Sequence, residues 1–265
     1  MNNLIPKKIH YVWVGGKEEP ELVKKCIDSW KRYCPNYEIV EWNDDVLQQI
    51  DNLYVKQAYE NKKWAFVSDY IRLWALYHFG GFYCDTDLEI TNNIESFRRY
   101  KLLCGFEIWN GEVSPLTALI GSEKGNAVIK SWLELYDDIP FIKNGEMDET
   151  TNVVRISRWL QQEYDFKKPY DGTRFTKLRE DVVFFPYWFF CTPEKDKENY
   201  AIHHFDGSWI DPYVRKCKLS HRKYKLVRFR KRANIKGDTL PIFNDEIKIC
   251  QLSIFGTKWC LLKNI

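Results

Sequence analysis

The segment from Trp64 to Phe79, WAFVSDYIRLWALYHF, constrains the fold of this chain more than any other stretch. It is apolar almost all round, which predicts a helix covered by protein on most sides. Ser68, Asp69, Arg72 and His78 are the exceptions. Asp69 and Arg72 stand three apart and Ser68 and Arg72 four apart, so these three share one helix face. Gly80-Gly81 can end the helix in a left-handed cap. Phe82-Tyr83-Cys84 then reads as a buried strand that delivers Asp85-Thr86-Asp87.

The flanking sequence repeats this alternation. Ile9 to Val14 reads as a strand ended by Gly15-Gly16, and Pro20 suits the first turn of a helix carrying Val23, Cys26, Ile27 and Trp30. Tyr37 to Trp42 is a second strand, and Asn43-Asp44 the cap of a short helix through Ile50. Lys101 to Glu107 and Val182 to Phe190 read as strands, and Ala127 to Tyr136 and Val153 to Tyr164 as helices. The expected class is α/β with a mostly parallel central sheet. With 265 residues, 45% hydrophobic and 29% charged, the chain can bury a full core and is not disordered. The longest nearly unbroken apolar run, Val182 to Cys191, is about half the ~20 residues of a membrane-spanning helix, and no secretory cleavage pattern follows the N-terminus. Eight cysteines without a C-x-x-C pair read as reduced thiols, so the expected location is cytoplasmic.

Charge divides the chain. Residues 1–212 hold 26 Lys and Arg against 34 Asp and Glu, a net of −8, whereas residues 213–265 hold 14 against 3, a net of +11. The expected organisation is a catalytic domain over 1–212 and a basic extension over 213–265.

Two carboxylates at the end of an apolar strand, Asp85 and Asp87, repel each other unless a cation compensates. If strand geometry persists, both project to one side. A hard divalent metal completed by substrate phosphates is one answer, and a turn in which Asp and Thr cap the backbone is the other. Asp69 and Arg72 form either an intrahelical ion pair or a working pair held in an apolar setting. AIHHFDGSW, residues 201–209, offers His203, His204 and Asp206 as a late metal ligand beside a glycine, or else an imidazole packed in the core. Trp13 is either core or a flat surface for a base. No phosphate-loop spacing, G-x-G-x-x-G or Ser-His-Asp motif is visible.

Taken together, IPKKIHYVWVGG, AFVSDYIRLWALYHFGGFYCDTDLEI and AIHHFDGSW resemble the glycosyltransferases with a DXD-containing sugar-binding region. These include the initiating mannosyltransferases of yeast and bacterial capsule and O-antigen polysaccharide transferases, and they are similar to the catalytic domain of clostridial glucosylating toxins. The resemblance covers roughly residues 5–210 and implies a GT-A-type nucleotide-sugar-binding fold. It implies that Trp13 stacks on the nucleotide base, that Ser68, Asp69, Arg72 and Tyr83 line the donor site, and that Asp85 holds ribose and sugar hydroxyls. Asp87 would bind Mn²⁺ or Mg²⁺ with His204 as the late ligand, His203 and Asp206 being its neighbours. Ser208 and Trp209 would contact the diphosphate from a closing loop, and Glu149 and Asn152 would lie on the acceptor side.

The implied activity is transfer of a sugar, with retention, from a nucleotide-sugar donor to a glycan or lipid-linked acceptor in cell-surface polysaccharide synthesis. A UDP-sugar is favoured. A phosphatase of the haloacid-dehalogenase type also places D-x-D after an apolar strand, but it requires Thr or Val where this chain has Glu89. A non-catalytic sugar-nucleotide or glycan binder would be expected to have lost Asp87, Arg72 or the late His, and all are present. From Arg215 to Arg232 ten of eighteen residues are Lys or Arg and none is acidic, which suits a peripheral contact with an anionic membrane; a solvated helix face or an oligomer contact is the alternative. Nucleic acid is not an expected partner, because the body is acidic and carries no recognition motif.

Overall fold

Short apolar runs build the sheet of this protein, and helical-period runs cover it. The computed structural model describes residues 4–109, 111–179, 182–207, 213–231, 240, 242, 246–254 and 257–264. Strand β1 (Lys8–Val12) lies parallel to β2 (Glu38–Trp42), and α1 (Glu21–Tyr33) between them buries Val23, Cys26, Ile27 and Trp30. Pro20 takes the N-cap of α1, one position before the predicted first turn. Asn43 accepts a hydrogen bond from the Asp45 N–H at 3.0 Å and so caps the short 3-10 helix Asp44–Gln49.

After α2 (Leu53–Glu60) comes α3 (Trp64–Phe79), the helix expected from its apolar run, with Asp69 and Arg72 among its buried residues. It stops at Gly80, whose φ is 63° and ψ −178°. That is a glycine-only conformation with extended ψ, in place of the left-handed cap expected. A Cβ at Gly80 would come within 2.6 Å of the Lys124 nitrogen, so the turn into the next strand also needs the missing side chain. Strand β3 (Gly81–Cys84) is wholly buried and runs parallel to β1, with His10 opposite Tyr83.

Strand β4 (Leu88–Ile90) follows within a few residues. A hairpin of β5 (Leu102–Trp109) and β6 (Glu112–Ser122) then inserts β6 antiparallel between β3 and β5. Helix α4 (Ala127–Glu134), the small hairpin β7 (Ile142–Lys143) and β8 (Glu146–Met147), and α5 (Asn152–Tyr164) lead to β9 (Thr176–Leu178) and β10 (Val182–Phe185). The aromatic run after Val182 is not one strand. Pro186 has no N–H for the ladder, and the chain turns into the short helix α6 (Tyr187–Phe190). Strand β11 (Ala201–His203) then pairs antiparallel with β4.

The main sheet has the order β2-β1-β3-β6-β5-β10-β9, and β6 and β9 oppose the direction shared by the other five. Apolar clusters fill both faces. One contains Tyr54, Leu73, Trp132 and Phe184 beneath α2 to α5, and the other Trp30, Phe82, Leu119 and Phe190 beside α1. Among the described residues no helix is long and apolar enough to cross a membrane, and the seven described cysteines are free thiols.

The basic run is sheet, not helix. Strands β12 (Tyr213–His221), β13 (Tyr224–Lys231), β14 (Glu246–Ile254) and β15 (Thr257–Asn264) form a separate antiparallel sheet of order β12-β13-β15-β14. One of its faces buries Val227, Phe229, Cys260 and Leu262 against Leu240 and Ile242.

Candidate metal and donor site

Parallel strands β1 and β3 are neighbours, so the residues leaving their carboxyl ends collect at one edge of the sheet, where open α/β sheets bind ligands. Trp13 and Gly15 leave β1 there, and Asp85-Thr86-Asp87 leaves β3. Strand geometry does not persist through the D-x-D. The Leu88 N–H donates to the Asp85 carbonyl at 2.9 Å and closes a turn through the backbone, so the two carboxylates converge from a turn and not from an extended strand.

Arg72 organises the donor side. Its guanidinium lies 3.1 Å from Asp69 Oδ1 and 3.1 Å from Asp85 Oδ1, and donates to the Thr117 carbonyl at 2.8 Å. It also donates to Ser68 Oγ at 3.2 Å and stacks 4.5 Å from the centroid of Tyr83. The Tyr83 hydroxyl donates to Asp85 Oδ1 at 2.8 Å. The structure thus brings Ser68, Asp69, Arg72, Tyr83 and Asp85 into one network. Burial opposes charge on Arg72, but the Asp85 and Asp69 carboxylates more than offset that and hold it cationic. Burial pushes the Asp69 carboxyl up to about 6 against the pull of Arg72, so Asp85 is the chief counter-ion of the guanidinium.

Asp87 lies across the turn. Pairing of β11 with β4 sets His203 opposite Leu88 and carries its ring to the D-x-D. One ligand atom each from Asp85, Asp87 and His203 falls within 4.8 Å of the others. Burial works against an imidazolium at His203, yet hydrogen bonding to Asp87 and Cys191 and the nearby carboxylate charges carry its pKa up to about 10. Burial likewise opposes the Asp87 carboxylate, and His203 together with the Asp206 N–H outweighs it and lowers its pKa.

These placements correct the expected ligand set. His204 turns away, its Nε2 2.9 Å from Glu89 Oε2, and only its backbone N–H reaches Asp87, at the carbonyl. Asp206 contributes an N–H to Asp87 Oδ2 at 2.9 Å. β11 ends at His203, whose register opposite Leu88 brings its ring to the D-x-D, while the next residue carries the His204 ring to Glu89.

Asn152 is 1% exposed. Its backbone N–H donates to Asp69 Oδ2 at 2.9 Å and its amide to the Asp69 carbonyl at 3.2 Å, so it anchors α5 to α3 and does not face an acceptor. The carboxylate of Glu149 lies 3.9 Å from Lys63 Nζ. Trp13 is half-buried against the cluster beside α1, with its indole N–H donating to the Lys17 carbonyl at 2.7 Å. Ser208 and Trp209 lie outside the described residues.

Sequence reasoning missed Glu107. It sits on β5, accepts from Ser114 Oγ at 3.0 Å and places Oε2 3.9 Å from His203 Nδ1; burial raises its pKa. Its signal was present as a lone acid in the otherwise apolar run LLCGFEIW.

Two carboxylates and an imidazole fit a divalent cation such as Mn²⁺ or Mg²⁺. Donors held at about 2.1 Å from an ion lie up to ~4.2 Å apart, so a small contraction of this triad suffices. A carboxylate that accepts from the other nitrogen of a ligating histidine is the usual support for such a ring, and Glu107, 3.9 Å from an Nδ1 that has no hydrogen-bond partner, is the carboxylate placed to take that role.

Residues 20–103 match the family described as glycosyltransferase sugar-binding region containing DXD motif. Among solved structures, PaToxG glycosyltransferase is 21% identical with a TM-score of 0.48, covering 61% of this chain and 70% of that one. A glycosyltransferase involved in the glycosylation of the major capsid of PBCV-1 is 13% identical with a TM-score of 0.42, covering 74% of this chain and 93% of that one. No curated protein matches the chain by sequence.

Proposed function

We propose, from the match of residues 20–103 to the glycosyltransferase sugar-binding region containing DXD motif, that the chain transfers a hexosyl group with retention from a nucleotide sugar to a glycan or lipid-linked acceptor. The observation that carries the proposal is Arg72, a buried cation shared by Asp69 and Asp85 beside a D-x-D whose second carboxylate meets His203. Domain 1–212, on a GT-A-type fold, would hold this whole machinery. A UDP-sugar is the favoured donor, and assembly of a cell-surface polysaccharide the favoured setting.

Asp85, Asp87 and His203 would hold a divalent cation, which when bound supplies charge stabilisation to the departing diphosphate. Arg72 is already fixed by the carboxylates and by Thr117, so it needs no reorganisation as negative charge develops next to it. Asp85 is held by Tyr83 and Arg72, and would offer its fixed carboxylate to donor hydroxyls. Asp69 is bound by Asn152 and Arg72, and Glu107 by Ser114, so neither is free to act as a nucleophile. This favours a front-face route, in which the leaving diphosphate takes the acceptor proton. Trp109, 50% exposed at the tip of the β5–β6 hairpin, stacks 4.8 Å from Phe205, whose ring is 4.1 Å from His203. It offers an acceptor sugar an apolar face, and takes the place of Glu149 and Asn152 in the acceptor-side reading.

Hydrolysis of a panel of UDP- and GDP-sugars tests this, with Mn²⁺ and with chelator, for the intact chain and for Asp87→Ala. Slow, metal-dependent turnover of one donor that the substitution abolishes is expected. Absence of both turnover and metal-dependent nucleotide binding refutes the enzyme and leaves a non-catalytic binder.

A further inference from the structure

We propose that the outer face of the C-terminal sheet is a docking surface for an anionic lipid bilayer. The register of its strands divides their side chains cleanly. Val227 opposite Cys260, and Leu262 two residues on, lie on the inner face and are buried. On that side Lys225, whose ammonium lies beside Gly145 in the β7–β8 turn, pairs with Glu246 at 3.1 Å. The inner face is therefore the side turned toward the rest of the molecule.

The outer face carries the alternate residues. Register places Leu226, Leu261 and Cys250 in one row, and Arg228, Trp259 and Leu252 in the next. Tyr224, Ile247, Leu252 and Ile254 are 46%, 50%, 60% and 46% exposed, and with Leu219 and Ile249 they make this small sheet carry half of the exposed large apolar side chains among the described residues. β14 is an edge strand of this sheet, and an exposed apolar edge invites association unless something covers it.

Charge selects what covers it. Arg228, Arg230 and Lys263 stand among these apolar residues on the same face, and no described residue of that face is acidic. Glu246, the one acid in the four strands, is on the inner face with its side chain fully buried against Lys225. A second copy of this face would bring like charges together, and nucleic acid would leave the isoleucines and leucines in water. The interface of an anionic bilayer accepts both components: aliphatic and indole groups enter the acyl boundary, and guanidinium and ammonium groups meet headgroup phosphates. The footprint is wider than the basic run alone, because most of its apolar residues come from 246–263, where the sequence is not strongly basic.

Co-flotation of the full chain with phosphatidylcholine vesicles, with and without phosphatidylglycerol, tests the proposal. The expected result is partition onto the anionic vesicles only, weakening as salt is raised. Arg228→Glu with Arg230→Glu should reduce partition by roughly tenfold or more. Ile247→Ser with Leu252→Ser, at positions already exposed, should also reduce it without loss of fold by circular dichroism. Lys31→Glu with Lys130→Glu makes the same charge change on the body and should leave partition unchanged. The proposal is overturned if neutral vesicles bind equally, if the body substitutions act as strongly as those on the face, or if neither face pair has an effect. It is also overturned if the face pairs instead dissolve a concentration-dependent dimer, or if RNA is retained and the apolar pair does not matter. Metal-dependent nucleotide binding, measured on the same samples, reports on the transferase site separately, so the two readings fail independently.

Discussion

Replacing Arg72 by methionine removes one side chain from two carboxylates at once. The side chain is 5% exposed, and its partners Asp69 and Asp85 are 11% and 25% exposed. Breaking a buried ion pair from one side costs about 3–5 kcal/mol, because the abandoned charge stays desolvated. Two features hold the cost near the lower end. Asp85 is open enough to regain water, and Asp69, already pushed up to about 6 by burial, can escape by taking a proton. The Thr117 carbonyl loses its donor and adds a smaller loss. The expectation is about 3 kcal/mol at neutral pH, read as a lower urea midpoint at unchanged slope and a melting temperature lower by roughly 6–12 °C. Adding Asp69→Asn should recover part of this, since the orphaned charge is then gone. Arg72→Lys should restore some stability but little donor turnover, because an ammonium cannot span both carboxylates and the carbonyl as the planar fork does. A loss below about 1 kcal/mol on Arg72→Met, or full turnover by Arg72→Lys, would refute the reasoning.

Mn²⁺ titration should separate the adjacent histidines: His203→Ala should abolish tight metal binding and His204→Ala leave it intact, while Glu107→Gln should weaken it about 10–100-fold through His203. Equal effects at His203 and His204 would remove the basis for the triad. His10 should make the fold acid-sensitive. Its Nε2–H donates to the Gly80 carbonyl at 2.7 Å and its Nδ1 accepts from the Trp42 indole at 3.2 Å, an arrangement available only to neutral imidazole, and burial lowers its pKa to about 4. The unfolded chain binds this proton first, so stability falls as pH drops from 6.5 toward 4, by about 3 kcal/mol. Asp69, raised to about 6, acts with the opposite sign over much of that window, so the test is wild type minus His10→Gln across pH; a flat difference counts against the assignment. Gly80→Ala should cost more than ~1 kcal/mol in the same denaturation assay, since alanine rarely adopts that backbone and its Cβ would collide with Lys124.

How much of this could be read from the sequence depended on whether the information was local. Helix α3 was legible end to end because nothing else explains sixteen residues with so few polar positions, and the shared face of Ser68, Asp69 and Arg72 followed from helical spacing. Strand β6 was not legible: Pro115 and Gly121 interrupt its pattern, and its place between β3 and β5 is set by pairing. The C-terminal strands were hidden by their own charge, although Val227 and Phe229 do alternate with polar neighbours inside YKLVRFRK. The choice of His203 over His204 rests on the β11–β4 register, more than a hundred residues apart in the chain. Asn152 was misplaced for the same reason, because its partner Asp69 is 83 positions away and no local signal links them.

The electrostatics of the site bear on what it can bind. Asp69, Asp85, Asp87 and Glu107 are linked through Arg72 and His203, and among the described residues those two are the cations that touch this group. Such a site carries excess negative charge even with His203 protonated. A nucleoside diphosphate brings more, so donor and protein alone would repel each other at short range, where partly buried charges are poorly screened. Protonating Asp69, whose carboxyl burial has already raised, relieves one charge at most. A divalent cation bound by Asp85, Asp87 and neutral His203 would put two positive charges beside these carboxylates in place of one and so lessen the repulsion of a diphosphate. Because His203 carries a proton until then, binding should release it to solvent and strengthen as pH rises. Measured in two buffers of different ionisation enthalpy, the heat of Mn²⁺ binding should differ in proportion to that proton. An identical heat in both would mean that His203 is not a ligand.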